Sequence, residues 1–111
     1  MKAGIPEKGD FITITFDPQS GHEQRGRRPA LVVSNTLFNE RTGLAIVCPL
    51  TRTVRGFPFH VAVAGMPGVD GFVMVEQVKS VDFRARKAEI IGKAPDEVLD
   101  EVLSILDACI Y

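Results

Sequence analysis

The chain changes its hydrophobic period once, near residue 94, and this change constrains the fold. Before it, apolar residues occur mainly in short segments rich in β-branched and aromatic side chains, separated by turn signals such as Asp17-Pro18. After it, apolar residues recur at spacings of three and four from Val98 to Ile110, as on one face of an amphipathic helix. Short strands without long helices between them favour an antiparallel sheet curled into a small barrel.

The predicted architecture is therefore mainly β, with one C-terminal helix. We predict strands at residues 11–16, 30–34, 44–50, 59–63, 72–78 and 88–91. We also predict a helical turn within residues 35–43. The terminal helix has Pro95 in its first turn, and Asp96 and Glu97 complement the positive end of its dipole.

The 111 residues are 45% hydrophobic and 24% charged, so we expect a single domain over residues 1–111. The longest apolar stretch, Leu44–Leu50, is far shorter than the ~20 residues that a membrane helix requires. The first residues also lack the apolar region of a secretory signal. We expect a cytoplasmic protein that does not enter a membrane.

Charge is distributed unevenly along the chain. Residues 1–93 contain all 13 lysines and arginines and nine acidic residues, whereas residues 94–111 contain five acidic residues and no basic one. A basic body favours an anionic ligand, although a solvated surface would show the same excess.

Metal and nucleotide sites are not expected from the sequence. Cys48 and Cys109 show no C-x-x-C spacing, and both lie among apolar residues, so we predict that both are small buried hydrophobes. The two histidines lack further ligands at metal-binding spacing. Because the glycine-rich phosphate loops of nucleotide-binding proteins are also absent from the sequence, we predict no metal and no cofactor.

The densest polar cluster spans residues 21–29, between the first two predicted strands. Arg27 and Arg28 point to opposite faces if the strand pleat includes them, so one of the two guanidiniums faces the candidate site. Arginine suits a phosphate because its planar fork donates two charge-assisted hydrogen bonds. A solvated basic loop is the alternative interpretation. The cluster's other polar side chains are His22, Glu23, Gln24 and Arg25.

Further polar groups follow later strands, and a small barrel could bring them to the same rim. Thr51 and Arg52 follow the third predicted strand. Thr51 could instead be a turn hydroxyl. Within these clusters His22 is the side chain whose ordinary pKa is near neutrality, whereas His60 is expected to be structural or solvent-facing. The remaining groups are Glu76, Gln77, Lys79, Arg84 and Arg86.

These residues, in their order and spacing, resemble those of the MazF/PemK (Kid) family of toxin endoribonucleases. The resemblance covers nearly the whole chain and includes its length and terminal helix. The segments that carry it are Gly9-Asp10, Phe16-Asp17-Pro18, Gly21-His22-Glu23-Gln24, Arg28-Pro29-Ala30-Leu31-Val32-Val33-Ser34, Pro49-Leu50-Thr51 and Glu76-Gln77-Val78-Lys79-Ser80.

The resemblance implies a homodimer of SH3-like (CcdB/PemK-type) barrels that cleaves single-stranded RNA, often messenger RNA, without a metal ion. It also implies a cognate antitoxin, whose acidic C-terminal segment covers the RNA groove. Any contact with DNA is expected only indirectly, through the antitoxin. Cleavage by such toxins inhibits translation and growth.

By position, the resemblance implies that Arg28 and Thr51 form the catalytic core. Glu23 corresponds to an acidic residue with a supporting catalytic function, and we assign it as the base. His22 corresponds to a histidine of the Kid branch, and we assign it as a proton shuttle. RNA binding is expected at residues of the first loop, of the fifth predicted strand and of the segment that follows this strand. These residues are Gln24, Arg25, Glu76, Gln77, Lys79 and Arg86.

The chain departs from the family pattern at three positions. Glu76 stands where most members have aspartate, and Met74 stands where the Kid branch has arginine, so the acid–base pair proposed for Kid cannot be transferred. Thr13 replaces a common tryptophan. The competing hypotheses are a non-catalytic barrel toxin like the gyrase poison CcdB, and an RNA- or protein-binding module without turnover.

Overall fold

The computed structural model describes residues 4–16, 26–54 and 56–111. Within these ranges the chain forms seven strands, two α-helices and one 3-10 turn. The strands are β1 (Asp10–Phe16), β2 (Gly26–Val32), β3 (Leu44–Thr51), β4 (His60–Val63), β5 (Gly71–Met74), β6 (Lys79–Asp82) and β7 (Glu89–Lys93). The helices are α1 (Thr36–Thr42) and α2 (Asp96–Ile110), and the 3-10 turn is Val75–Gln77.

All strand pairs between described residues are antiparallel, as predicted. The strands are ordered β4-β5-β3-β2-β1-β7, and β6 also pairs with β3. Strand β3 connects the two halves of the sheet, because Leu44–Val47 pairs with β6 whereas Leu50 and Thr51 pair with β5. The sheet consequently curls into a half-barrel.

The two faces of the curled sheet carry separate hydrophobic clusters. The first core cluster, which includes Phe11, Leu31 and Leu50, is covered by α2 through the fully buried Val102. The second core cluster lies on the opposite face and includes Ile14, Ala30, Val32, Val47 and Phe83. Alternation of side chains along each strand explains why neighbours such as Leu31 and Val32 belong to different clusters.

Both predicted helical segments are confirmed. Asn35 caps α1 by accepting a hydrogen bond from the Phe38 amide, and Gly43 ends the helix in the left-handed region at φ 74°. Helix α2 begins after Pro95 with two acidic residues in its first turn. None of the helices in the described part of the chain is long and apolar enough to cross a membrane.

The structure differs most from the predicted strands in two places, and other strand ends shift by one or two residues. Strand β2 begins at Gly26 rather than Ala30, because β1 pairs with it as far as Phe16 opposite Gly26. Pro29 is tolerated there because β3 pairs with β2 only from Ala30 onward. The predicted strand at 72–78 ends at Met74, and after the 3-10 turn the chain forms β6, which the sequence did not predict.

Candidate functional site

Arg28 and Thr51 lie on neighbouring strands, just past the point where those strands stop pairing. The β2–β3 register runs from Val32 opposite Val47 to Ala30 opposite Pro49. Two further residues in the same register place Arg28 opposite Thr51, on the face of the sheet that carries Ala30 and Pro49. Extension of the register thus brings together two residues distant in sequence, and both line the pocket at the open end of the β2–β3 ladder.

A pocket of about 230 Å³ opens at this end of the ladder. Its wall includes three arginines and one carboxylate, so positive side chains predominate. Such a pocket favours an anionic group, and the planar guanidinium of arginine suits a phosphate. The lining residues are Arg27, Arg28, Pro29, Leu50, Thr51, Arg52, Gly68 and Asp70.

The two adjacent arginines have different surroundings, as the predicted pleat requires. The Arg27 guanidinium donates hydrogen bonds to the carbonyl oxygens of Thr13 at 3.0 Å and Lys87 at 2.7 Å, and it lies 3.4 Å from Glu89 Oε1. Arg27 therefore ties β2 to β1 and to the β6–β7 connection. Arg28 alternates to the other face, which places its guanidinium on the side of Thr51.

The Thr51 hydroxyl is oriented by the backbone that follows it. The Thr53 amide donates a hydrogen bond to Thr51 Oγ1 at 3.2 Å. Since a hydroxyl has one hydrogen to donate, this arrangement leaves the Thr51 O–H for another acceptor. Thr51 is also fixed by pairing with Phe72 of β5. The hydroxyl is thus a positioned donor at the edge of the pocket.

Asp70 lies in the pocket wall, and sequence analysis did not select it. It precedes Gly71, the first residue of β5, and it reaches the site because β5 pairs with the end of β3. The Asp-Gly pair was legible in the sequence only as a turn signal. Its approach to Arg28 and Thr51 depends on a strand pairing that a single sequence does not reveal.

His60 and Glu76 form a polar pair on the same face of the sheet. His60 Nε2 lies 2.9 Å from Glu76 Oε2, and the His60 side chain is only 3% exposed. The rings of Phe57 and Phe72 lie 5.2 and 6.5 Å from the imidazole. His60 is therefore buried rather than solvent-facing, and it holds a residue that the sequence assigned to RNA binding.

The other predicted RNA-binding residues that the structure describes lie at two places. Gln77 ends the 3-10 turn and Lys79 begins β6, and both are exposed. The Arg86 guanidinium donates a hydrogen bond to the Thr15 carbonyl at 3.0 Å, beside Arg27. Its RNA contact stays a prediction. His22, Glu23, Gln24 and Arg25 lie outside the described residues.

The two cysteines differ in burial. Cys48 is buried in the first core cluster, and burial, with a smaller contribution from the Glu76 charge, raises its pKa to about 12. Cys109 lies on the exposed side of α2, so the prediction that it is buried was wrong. The apolar residues beside Cys109 in sequence belong to a helix whose last turn is largely exposed. Among the described residues, His, Cys, Asp and Glu form no group of three or more that could hold a metal ion.

Together these features define a small protein with a curled antiparallel sheet, a C-terminal helix and a cationic arginine–threonine pocket. A family model described as PemK-like, MazF-like toxin of type II toxin-antitoxin system matches residues 7–110. The chain belongs to this family of toxins. The resemblance inferred from the sequence is thereby confirmed.

Individual relatives agree with this assignment. The endoribonuclease toxin MazF of Escherichia coli strain K12 is 42% identical over 95 residues, which cover 85% of each chain. A crystal structure of MazF from Deinococcus radiodurans superposes with a TM-score of 0.88 at 42% identity, covering 97% of this chain and 98% of that one. A MazE–MazF structure from the same organism gives a TM-score of 0.87 at 42% identity, covering 97% of both chains.

Proposed function

We propose that the protein is the toxin of a type II toxin-antitoxin system, and that it cleaves single-stranded RNA at specific sequences without a metal ion. The observation that carries the proposal is that Arg28 and Thr51 line one open, cationic pocket at the end of the β2–β3 ladder. The family and the endoribonuclease relatives support the same reaction. Inhibition of translation and growth follows from cleavage of messenger RNA.

The nucleophile in this reaction is the ribose 2′-hydroxyl. It attacks the adjacent phosphorus, the bond from phosphorus to the 5′-oxygen breaks, and the products are a 2′,3′-cyclic phosphate and a 5′-hydroxyl. The proton leaves the 2′-oxygen for a base, and an acid supplies a proton to the departing 5′-oxygen. DNA has no 2′-hydroxyl, so selectivity for RNA is inherent in the chemistry.

Arg28 and Thr51 supply the stabilisation of charge. The phosphorane carries additional negative charge on its non-bridging oxygens, and donors fixed in advance lower the barrier more than donors that must reorient. The Arg28 guanidinium remains protonated throughout, which suits electrostatic stabilisation better than proton transfer. The Thr51 hydroxyl, oriented by the Thr53 amide, donates to a second non-bridging oxygen.

Proton transfer is assigned to two residues outside the described part of the chain. Glu23 is the proposed base for the 2′-hydroxyl, and His22 is the proposed proton shuttle. Neither the Arg28 guanidinium nor the Thr51 hydroxyl is acidic or basic enough near neutral pH for these steps. The mechanism therefore needs further groups.

The proposed assembly is a homodimer of single-domain subunits in the cytoplasm, held inactive by a cognate antitoxin. The MazE–MazF structures of Deinococcus radiodurans support such a partner. A cationic pocket also suits the acidic, extended segment expected of an antitoxin. RNA and the antitoxin would then compete for one surface.

Incubation of the purified protein with a long RNA in the presence of EDTA tests the proposed function. We expect discrete fragments with 5′-hydroxyl ends, which a polynucleotide kinase labels without prior phosphatase treatment. A matched oligonucleotide with 2′-deoxyribose at the cleaved nucleotide should remain intact. An RNA that stays uncut, while the protein still binds it or a protein target, would instead indicate a binding module or a non-catalytic poison.

A further inference from the structure

The burial of His60 is not explained by packing alone. Its imidazole lies between the rings of Phe57 and Phe72, an apolar setting in which a hydrocarbon side chain would also fit. Nδ1 is buried and has no hydrogen-bond partner among the described residues. An unpaired buried polar atom destabilises the folded state. The hydrogen bond to Glu76 is the feature that only a polar residue at this position provides.

The direction of that hydrogen bond follows from its partner. An ionised carboxylate can only accept hydrogen bonds, so Nε2 of His60 carries the hydrogen and donates it to Glu76 Oε2. The second oxygen, Oε1, takes no part in this hydrogen bond. The Glu76 side chain is 29% exposed. One oxygen is therefore held by a buried donor, and the other can accept from a ligand.

Strand pairing connects this pair to the pocket. Thr51 is opposite Phe72, and His60 is opposite Met74. Phe72 and Met74 are two residues apart on one strand, so the side chains of Thr51, Phe72 and His60 share a face of the sheet. Phe72 lies between Thr51 and His60. Glu76 is thus anchored to the same face as the proposed phosphodiester site.

We propose that His60 is a positioning residue that holds Glu76 by one carboxylate oxygen so that the other accepts a hydrogen bond from a base of the bound RNA. This inference rests on the proposed function. A carboxylate oxygen accepts hydrogen bonds from the exocyclic amino groups of adenine (N6), cytosine (N4) and guanine (N2, beside N1–H). Uracil has no amino group, and its N3–H lies between two keto oxygens that repel a carboxylate, so uracil is disfavoured at this position. His60 and Glu76 together therefore determine specificity at one nucleotide.

The direction of the hydrogen bond from His60 to Glu76 leads to a specific prediction for E76Q. The His60 Nε2–H still requires an acceptor, so the amide should turn its oxygen towards His60 and its NH₂ group outwards. An outward donor no longer suits the amino groups of adenine, cytosine and guanine, whereas it can donate to the keto oxygens of uracil. The discrimination against uracil should therefore be lost at this one position. A residue that only stabilised the fold would not change the preference at a single position.

The experiment is cleavage of an RNA pool with a randomised segment, followed by sequencing of the fragment ends. The measured quantity is the ratio of bases with an exocyclic amino group (adenine, cytosine and guanine) to uracil at each position near the cut. We expect E76Q to lower this ratio about tenfold at one position. E40Q, which removes an exposed carboxylate from α1, is the matched control. We expect it to leave the ratio unchanged.

Substitutions of His60 test whether it acts through Glu76. H60L should bring the ratio at the same position towards one, and H60Q, whose amide can replace the Nε2 donor, should restore part of it. In an E76A background, H60L should have no further effect on the ratio, as a double-mutant cycle requires of a residue that acts through its neighbour. Urea unfolding of each variant identifies any that fail to fold, and E76Q gives the answer if H60L is one of them.

Each outcome has a distinct meaning. If the wild-type protein cuts no RNA, the proposed function fails, whereas a failure of the positioning proposal requires active protein. Active variants in which E76Q and H60L leave the base ratios unchanged at every position would overturn the proposal. The same holds if H60L alters the ratio equally with and without Glu76, because His60 would then act independently of the carboxylate.

Discussion

Gly71 approaches the backbone of Thr51 so closely that a methyl group on its Cα would overlap the Thr51 carbonyl oxygen. Gly71 is also at φ 123°, in a region that residues with a side chain rarely adopt. Both constraints act where β5 pairs with the end of β3. The absence of a side chain at Gly71 thereby allows β5 to approach the end of β3, where Thr51 lies.

G71A should therefore displace Thr51 and reduce RNA cleavage at least tenfold, with a stability loss of about 2 kcal/mol or more from overlap and backbone strain. Cleavage rate and urea unfolding measure the two effects. G65A is the matched control, since Gly65 has φ 82° with open space around its Cα. We expect it to lose only about 1 kcal/mol and to keep its activity. Equal losses of cleavage rate and stability in G71A and G65A would contradict the close approach of Gly71 to the Thr51 carbonyl.

Substitution of Arg28 or Thr51 should reduce RNA cleavage without unfolding the protein. R28A and T51V should each reduce the cleavage rate about 10²- to 10³-fold, because each removes a fixed donor from the phosphorane. T51S retains the hydroxyl and should remain active, whereas R28K loses the planar fork and should be impaired. Single-turnover cleavage of a defined RNA measures these rates, and R41A on α1 serves as the control arginine. Full activity in R28A or T51V would remove that residue from the mechanism.

Arg27 should behave differently from its neighbour. R27M removes hydrogen bonds to the Thr13 and Lys87 carbonyls and should lower the free energy of unfolding by about 1–3 kcal/mol. The measurement is urea denaturation followed by circular dichroism, with R41M as the matched control. An R27M protein of normal stability would show that these contacts do not hold β2 against β1.

The cysteines should react at very different rates with iodoacetamide. The pKa of Cys48 is raised to about 12, so at pH 8 it has almost no thiolate, and it is also buried. Cys109 is exposed. Mass spectrometry should find one adduct on the native protein and two after unfolding in urea. Rapid double labelling of the native protein would show that the first core cluster opens readily.

Lys93 should contribute stability that disappears at high pH. Its hydrogen bond to Asp10 at 2.7 Å raises its pKa above the ordinary 10.5, so the folded state binds its proton more tightly than the unfolded state does. The contribution is complete below that ordinary value and is lost as pH rises through the raised pKa. Because Lys93 is half exposed, K93Q should cost only about 1 kcal/mol at pH 7. Urea unfolding should show the difference from wild type shrinking above pH 10.5, and a constant difference would contradict it.

The parts of the fold that were predictable are those specified by local pattern. Strand β1 was predictable from its β-branched and aromatic residues and the turn signal that follows it. Helix α2 was predictable from apolar residues at spacings of three and four. Strand β6 was missed because the 3-10 turn at Val75–Gln77 contains no glycine, proline, asparagine or aspartate that would signal the end of the preceding strand. In the C-terminal helix, period alone did not show that the last turn is exposed, which is why Cys109 was misplaced.

The candidate site likewise contains residues that the sequence predicted and residues that it did not. Arg28 and Thr51 were selected through family resemblance and their positions near strand ends, and the β2–β3 register explains why both line one pocket. Asp70 and the contact between His60 and Glu76 depend on the pairing of β4, β5 and β3. That pairing brings together residues far apart in sequence, and no local signal encodes it.

Strand β3 is held along its length by β2, β5 and β6, and Thr51 is its last residue. Moving the backbone that carries that hydroxyl would require breaking the pairing of Thr51 with Phe72 and disturbing a strand that three others hold. The end of β3 is therefore a poor place for a conformational switch. A partner that covers the surface, as in the MazE–MazF structures of Deinococcus radiodurans, can act on such a site without refolding the sheet.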